Sequence, residues 1–308
     1  MGQRKKIVIK PAPLIPGETV GIAAPAGCFD EERFRKGLSV IEDMGFRVKV
    51  PEGVFASKRY LAGSDEHRAL ILNRLFSDDG VRAIICARGG FGTIRIAPLL
   101  DVDLYAGKPK ILVGFSDISA LLSIVCQHSG LVVFHGPVVT SLADNAGQSV
   151  ESLLAAITSA TPVSIRPDDG VTITPGRARG VVRGGNLASL CQMAGTPWQP
   201  DFKGCLLFLE EVNEPPYRID RMLSQLRFSG CLDGVAGVAL GSLEGCGDRR
   251  TVFEIVAEHV PPGVPVLAGL PVGHGKVNLT LPVGIEATLD ADNMTLDYHE
   301  SALALPGD

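Results

Sequence analysis

The feature that most limits the fold is a regular alternation of strand-like and helix-like segments over the first half of the chain. Asp30 and Ser64 stand where they can cap two of the helices. The strand patterns occupy residues 19–24, 46–50, 81–87, 110–113 and 131–134, and the helix patterns residues 30–44, 64–75 and 117–127. Strands that alternate with helices form βαβ units, so the sequence predicts a parallel sheet covered on both faces.

The second half has a different character, and the change falls between residues 161 and 180. Proline and glycine turn signals cluster there, and a chain of 308 residues is long enough for about two domains. Short strand patterns at residues 206–209, 235–240 and 264–267 follow, with helix patterns at 217–228 and 251–259. We therefore predict an N-terminal α/β domain over residues 1–165 and a smaller α/β domain with a mixed sheet over residues 176–308.

Charge and cysteine usage exclude several classes of function. The chain carries 29 basic and 34 acidic residues, and its only basic run is short, at residues 4–6. This balance predicts binding neither to nucleic acid nor to an anionic membrane. The seven cysteines form no C-x-x-C pair and lie mostly in apolar runs, which is typical of a reducing compartment. With no signal-peptide pattern and no 18-residue apolar span, we expect a soluble, cytoplasmic protein without a metal site.

The segment Leu112-Val113-Gly114-Phe115-Ser116-Asp117-Ile118 joins a predicted strand to a predicted helix. A sharp turn there can expose the Ser116 hydroxyl while the N–H of Asp117 points at the same spot, as in the nucleophile elbow of serine hydrolases. The match to G-x-S-x-G is incomplete, because Ile118 replaces the second glycine. The competing interpretation is that Ser116 only caps the helix.

A glycine-rich loop, Arg88-Gly89-Gly90-Phe91-Gly92, follows another predicted strand. Glycines let the backbone approach a ligand closely, so an N–H near Gly89 or Gly90 is a candidate second donor for an oxyanion. A phosphate-binding loop is the rival interpretation, but neither G-x-G-x-x-G nor the P-loop pattern is present. A tight turn with no other role is the third.

A serine nucleophile needs a base and an acid that orients it, and the residues alone leave both open. His135 ends a strand of the predicted sheet, whereas His274 stands between two glycines in a loop. For the acid, Glu210, Glu211 and Glu214 end an apolar strand, although such a cluster is also typical of a solvated strand end.

Taken in order along the chain, these segments resemble the LD-carboxypeptidase family, serine peptidases of family S66. The resemblance rests on Ala24-Pro25, Arg88 to Gly92, Gly114 to Asp117, His135-Gly136-Pro137, Gly184 to Leu187, Leu209 to Arg218 and Gly273-His274-Gly275. It implies a triad of Ser116, Glu210 and His274, with Glu210 preferred to Glu211 and His135 left as a structural or substrate-side residue.

The resemblance also implies a flavodoxin-like N-terminal domain, a smaller C-terminal domain and a cytoplasmic homodimer without metal or cofactor. The expected activity is cleavage of the L,D bond before the terminal D-alanine of murein tetrapeptides. Asp117 with Gly89 or Gly90 would hold the oxyanion, and Arg88 or Arg218 is a candidate for the substrate's terminal carboxylate.

Two alternatives remain. The first is an immunity-type hydrolase of the same family that acts on aminoacyl-nucleotide antibiotics of the microcin C kind, with Trp198 as a conceivable stacking residue for the base. The second, from another class, is a non-catalytic α/β protein that binds a small ligand.

Overall fold

The computed structural model describes residues 8–144 and 147–305, so the basic run at residues 4–6 lies outside the described part. Within these residues, the first sheet contains six strands: β1 (Thr19–Ala23), β2 (Arg47–Lys49), β3 (Val81–Cys86), β4 (Ile111–Gly114), β5 (Val133–His135) and β12 (Leu281–Val283). Their order across the sheet is β2-β1-β3-β4-β5-β12. The first five are parallel and β12 is antiparallel to β5. The order 2-1-3-4-5 is that of flavodoxin-like folds, which confirms the predicted class.

Helices follow these strands along the chain. They are α1 (Glu31–Asp43), α2 (Asp65–Ser77), α3 (Thr93–Ile96), α4 (Val102–Gly107), α5 (Ile118–Ser129), α6 (Val139–Leu142) and α7 (Gly147–Thr158), with a 3₁₀ turn at Ala97–Leu99. The two predicted caps are present, since Asp30 accepts a hydrogen bond from the N–H of Arg33 and Ser64 accepts one from the N–H of His67. Each side chain satisfies a backbone donor that the first helical turn leaves without a partner.

The second sheet is mixed, as the sequence predicted. Its strands are β6 (Ser164–Ile165), β7 (Val171–Thr174), β8 (Arg177–Asn186), β9 (Cys205–Val212), β10 (Gly237–Glu244), β11 (Val266–Ala268), β13 (Glu286–Asp290) and β14 (Thr295–Tyr298). Their order across the sheet is β6-β14-β13-β8-β9-β10-β11-β7. Strands β8 to β11 run parallel, and the flanking pairs are antiparallel. Its helices are α8 (Leu187–Cys191), α9 (Pro216–Phe228) and α10 (Arg249–His259).

The two sheets meet near the end of β8, where the backbone approaches α5. The N–H of Asn186 donates to Ser119 Oγ at 2.9 Å. Gly185 has φ +147°, and a methyl group added to it would lie 2.5 Å from the same oxygen. Only glycine permits this approach.

One hydrophobic cluster spans both sheets, with Val113 and Phe134 from the first and Phe208 from the second. The division into an N-terminal domain over residues 1–165 and a C-terminal domain over residues 176–308 stays a prediction.

Among the helices in residues 8–144 and 147–305, none is long and apolar enough to cross a membrane.

Candidate active site

Ser116 lies at the carboxyl end of β4 in a strained backbone conformation. Its φ is +64°, in the left-handed region that few residues other than glycine occupy. The N-cap of α5 is Asp117, and no side chain caps that helix. Ser116 is therefore not a helix cap, and its backbone is instead held in the geometry of a nucleophile elbow. Strain of this kind is typical of functional turns.

Gly89 lies directly against Ser116. A methyl group added to Gly89 would be 2.6 Å from Ser116 Cβ, 2.8 Å from Ser116 Oγ and 3.4 Å from the backbone nitrogen of Asp117. The loop is held in this place by the N–H of Gly27, which donates to the carbonyl of Gly89 at 3.1 Å. The glycine loop and the serine turn are thus in contact, as an oxyanion hole built from both requires.

The Asp117 side chain fastens the glycine loop to the serine turn. It is buried and accepts hydrogen bonds from the N–H of Thr93 at 2.9 Å and from Gln192 Nε2 at 3.4 Å. The Thr93 hydroxyl lies 2.6 Å from the carbonyl of Asp117 and 2.9 Å from its carboxylate. Since the side chain is committed to these contacts, the role of Asp117 toward a ligand is left to its backbone N–H.

Arg68 ties one end of the same loop to the segment that follows β1. Arg68 is buried, and its Nη1 donates to the carbonyl of Gly92 at 2.9 Å and to the carbonyl of Pro25. Its Nη2 pairs with Asp65, which also binds Arg95. A buried guanidinium that links two backbone segments restricts their movement relative to each other.

Glu210 and His274 form a close pair. Glu210 is at the end of β9 and is fully buried, and its Oε2 lies 2.6 Å from His274 Nδ1. Gly273, with φ +110°, makes the approach possible, because a methyl group there would lie 2.5 Å from Glu210 Oε2. With Nδ1 engaged by the carboxylate, the Nε2 atom of His274 is left as the nitrogen that can act as a base.

The environment of His274 changes its pKa in opposing ways. Burial is the largest single influence and disfavours the charged imidazole, but the hydrogen bond and charge of Glu210, together with the charge of Glu211, outweigh it. The pKa of His274 is therefore raised above its usual 6.5. Because a base must be neutral to accept a proton, catalysis through His274 should be lost as the pH falls through this raised pKa.

Glu211 points to the other face of β9 and makes different contacts. It accepts hydrogen bonds from Asn186 Nδ2 at 3.0 Å, from the N–H of Ala188 at 2.7 Å and from the N–H of Val212 at 2.9 Å. Burial raises its pKa, and these three hydrogen bonds partly offset that effect. Glu211 thus holds the start of α8, and the structure pairs His274 with Glu210 alone.

Two small cavities adjoin Ser116 and His274. One, of about 230 Å³, is lined by Ser116, Gly90, Asn186, Gln192 and Glu211 among others, and one of about 170 Å³ is lined by His274, Phe115 and Arg33. Phe115 lies between the two cavities, since it precedes Ser116 and its ring centroid is 4.7 Å from that of His274.

Among the described residues, Ser116 makes no hydrogen bond to His274. Catalytic hydrogen bonds are often long in unliganded enzymes and tighten when substrate binds.

The two predicted arginines lie in other surroundings. Arg88 donates to the carbonyl of Cys28 at 2.5 Å, and Arg218 pairs with Glu214 at 3.2 Å. Neither lines the cavities of Ser116 and His274 in the described part of the chain. Arg33 lines the His274 cavity but was not predicted, because its place on the exposed face of an N-terminal helix carries no signal in the sequence. Trp198 packs against the apolar cluster of the second sheet.

Known proteins of one family are similar to this chain over almost its whole length. The family models described as LD-carboxypeptidase N-terminal domain and C-terminal domain match residues 20–136 and 179–289. A Streptomyces coelicolor relative, provisionally named a carboxypeptidase, is 42% identical over 97% of this chain and 99% of its own. The crystal structure of muramoyltetrapeptide carboxypeptidase from Oxalobacter formigenes is 31% identical, with a TM-score of 0.81 over 91% of this chain and 98% of that one.

The microcin C7 self-immunity protein of Escherichia coli is also similar, with 28% identity over 95% of this chain and 96% of its own. The identity to the Streptomyces relative and the order of the two family domains establish the family. The chain belongs to the LD-carboxypeptidase family of serine peptidases, family S66.

Proposed function

We propose that this protein is a serine carboxypeptidase that removes the terminal D-alanine from murein tetrapeptides, with Ser116, Glu210 and His274 as its triad. The observation that carries the proposal is the buried Glu210–His274 pair, 2.6 Å apart, beside a strained serine turn. The substrate is supported by the name of the 31% identical Oxalobacter formigenes enzyme.

In the proposed reaction, His274 Nε2 takes the proton of Ser116 Oγ as that oxygen attacks the carbonyl carbon of the L,D bond. The developing oxyanion is stabilised by the N–H of Asp117 and by an N–H of Gly89 or Gly90. Glu210 holds the imidazole by Nδ1 and stabilises its positive charge. His274 then gives its proton to the departing D-alanine nitrogen, and water, activated by the same histidine, hydrolyses the acyl-serine.

We further propose that the protein acts in the cytoplasm as a homodimer without a cofactor, and that residues 1–165 and 176–308 form its two domains. Support for the dimer comes from the family resemblance. None of the seven cysteines, all of which lie in the described part of the chain, is in a disulfide bond, and burial raises the pKa of the Cys191 and Cys205 thiols to about 11, which disfavours the reactive thiolate.

The test compares murein tetrapeptide with an aminoacyl sulfamoyl adenylate as substrates of the purified protein. We expect release of D-alanine from the tetrapeptide by the wild type and no release by Ser116→Ala. Activity only on an aminoacyl sulfamoyl adenylate would overturn the carboxypeptidase proposal and support the immunity-type function of the similar Escherichia coli protein.

The contact between Gly89 and Ser116 yields a separate prediction. In Gly89→Ala, the new methyl group must displace the serine side chain or the loop, because it would lie 2.6 Å from Ser116 Cβ. We expect kcat/KM for D-alanine release to fall about 10²- to 10³-fold, the loss typical of one oxyanion donor. The matched control is Gly107→Ala, where nothing lies within 4 Å of the added methyl group. Equal activity of the two variants would contradict this placement of the loop.

A further inference from the structure

A set of buried polar atoms without partners surrounds the Glu210–His274 pair. Buried polar groups in proteins are almost always hydrogen-bonded, so a cluster of exceptions calls for a functional explanation. Among the described residues, the side-chain atoms here that are buried and make no hydrogen bond are His135 Nδ1 and Nε2, Glu210 Oε1, Asn278 Nδ2 and Thr280 Oγ1. Neither the triad nor the oxyanion hole uses His135.

His135 faces the carboxylate oxygen that His274 does not use. Its Nε2 is 3.9 Å from Glu210 Oε1, while Glu210 Oε2 engages His274. Glu210 therefore lies between two imidazoles. The His135 ring is packed between Phe208, with centroids 5.0 Å apart, and Phe115, at 6.1 Å. Its backbone is at the end of β5, paired with Gly114 of β4 and Leu281 of β12.

The surroundings of His135 keep it neutral. Burial lowers its pKa to about 4; the charge of Glu210 and a contact of the ring with the backbone of His135 itself oppose this shift, and the charge of His274 adds to it. From the neighbouring elements, β9 contributes Glu210, the glycine-flanked loop contributes His274, and the segment before β12 contributes the uncharged Thr280, next to Gly136. At neutral pH the ring therefore carries one N–H donor and one acceptor nitrogen.

We propose that His135 is a positioning residue whose Nε2–H points at Glu210 Oε1 and stabilises the negative charge of that carboxylate. This inference rests on the proposed function. An N–H dipole in the low-dielectric protein interior interacts strongly with a charge nearby, and a movement of about 1 Å would bring the two atoms to hydrogen-bond distance. Glu210 would then be held at both oxygens, with its orientation toward His274 fixed.

The proposal makes a prediction about pH that a purely structural role does not. Without the donor, negative charge on Glu210 is less stable, and the Glu210–His274 pair binds a proton more readily. Because the active form of His274 is neutral, the acid limb of the activity profile should move to higher pH. Loss of packing alone would lower activity at every pH and leave the limb in place.

Two amide variants separate these outcomes. The amide of His135→Gln reaches the position of Nε2, whereas the shorter amide of His135→Asn reaches only that of Nδ1. The readout is the rate of Ser116 labelling by a fluorophosphonate between pH 5 and 9, with circular dichroism to verify folding. We expect the acid limb of His135→Asn to move up by about one pH unit, with a maximal rate about tenfold lower, and that of His135→Gln to stay near the wild type.

If the amide variants do not fold, His135→Leu places an apolar side chain between Phe115 and Phe208. It should shift the acid limb of the activity profile as His135→Asn does. A limb that is unmoved in both His135→Asn and His135→Leu, or moved equally by Asn and Gln, would overturn the positioning role. Absence of labelling in the wild type would instead overturn the proposed function itself, so the two failures are distinguishable.

Discussion

Ser116→Ala is expected to lower kcat for D-alanine release by about 10⁶-fold, the loss seen when a triad serine is removed. Among the described residues, only Ser116 carries its hydroxyl on the strained turn that lies against Gly89. Folding should be nearly unaffected, since alanine meets the same strain at φ +64° that serine does.

Ser116→Gly provides the matched control. It should be as inactive as Ser116→Ala, yet more stable by about 1 kcal/mol, because glycine adopts positive φ without strain. The measurements are the steady-state rate of D-alanine release and the free energy of unfolding in urea. Residual activity above about 1% in either variant would contradict the role of Ser116 as nucleophile.

Glu210→Gln is the second change with a large expected effect. The amide is neutral and can turn a donor toward His274 Nδ1, which lies 2.6 Å from Glu210 Oε2. The neutral imidazole would then carry its proton on Nε2 instead of Nδ1. The negative charge that stabilises the protonated imidazole would also be lost. We expect kcat to fall about 10⁴-fold, as for the equivalent change in a Ser-His-Asp triad.

Glu211→Gln tests whether the effect belongs to one carboxylate. Glu211 accepts hydrogen bonds from Ala188 at the start of α8 and from Val212 at the end of β9, so its replacement should mainly lower stability, by about 1–3 kcal/mol. We expect its loss of kcat to be at least 100-fold smaller than that of Glu210→Gln, after correction for unfolded protein. Similar losses in the two variants would contradict the assignment of the acid.

The sequence predicted the five parallel strands of the first sheet well because each has a local signal. Asp30 and Ser64 cap their helices as expected. Six of the strands in the described residues were not predicted: β6, β7, β8, β12, β13 and β14. Arginine and glycine interrupt the apolar alternation along β8, and β12 is a three-residue strand whose pairing with β5 depends on a contact distant in sequence.

The site was predictable only in part. The turn at Ser116 and the loop at Gly89 follow from strand ends and glycines. The choice between His135 and His274 does not, because both lie near Glu210 in space and differ in which carboxylate oxygen they face. Residues 210 and 274 are 64 positions apart, and their contact depends on the positive φ of Gly273. Family resemblance supplied what local patterns lacked.

Covalent labelling with a fluorophosphonate tests the role of Ser116 as nucleophile. The wild-type protein and Ser116→Ala are treated with a fluorophosphonate, digested and mapped by mass spectrometry. We predict one adduct per wild-type chain, on Ser116, and none in Ser116→Ala. No adduct in the wild type, an adduct at another residue, or equal labelling of the two proteins would contradict that role.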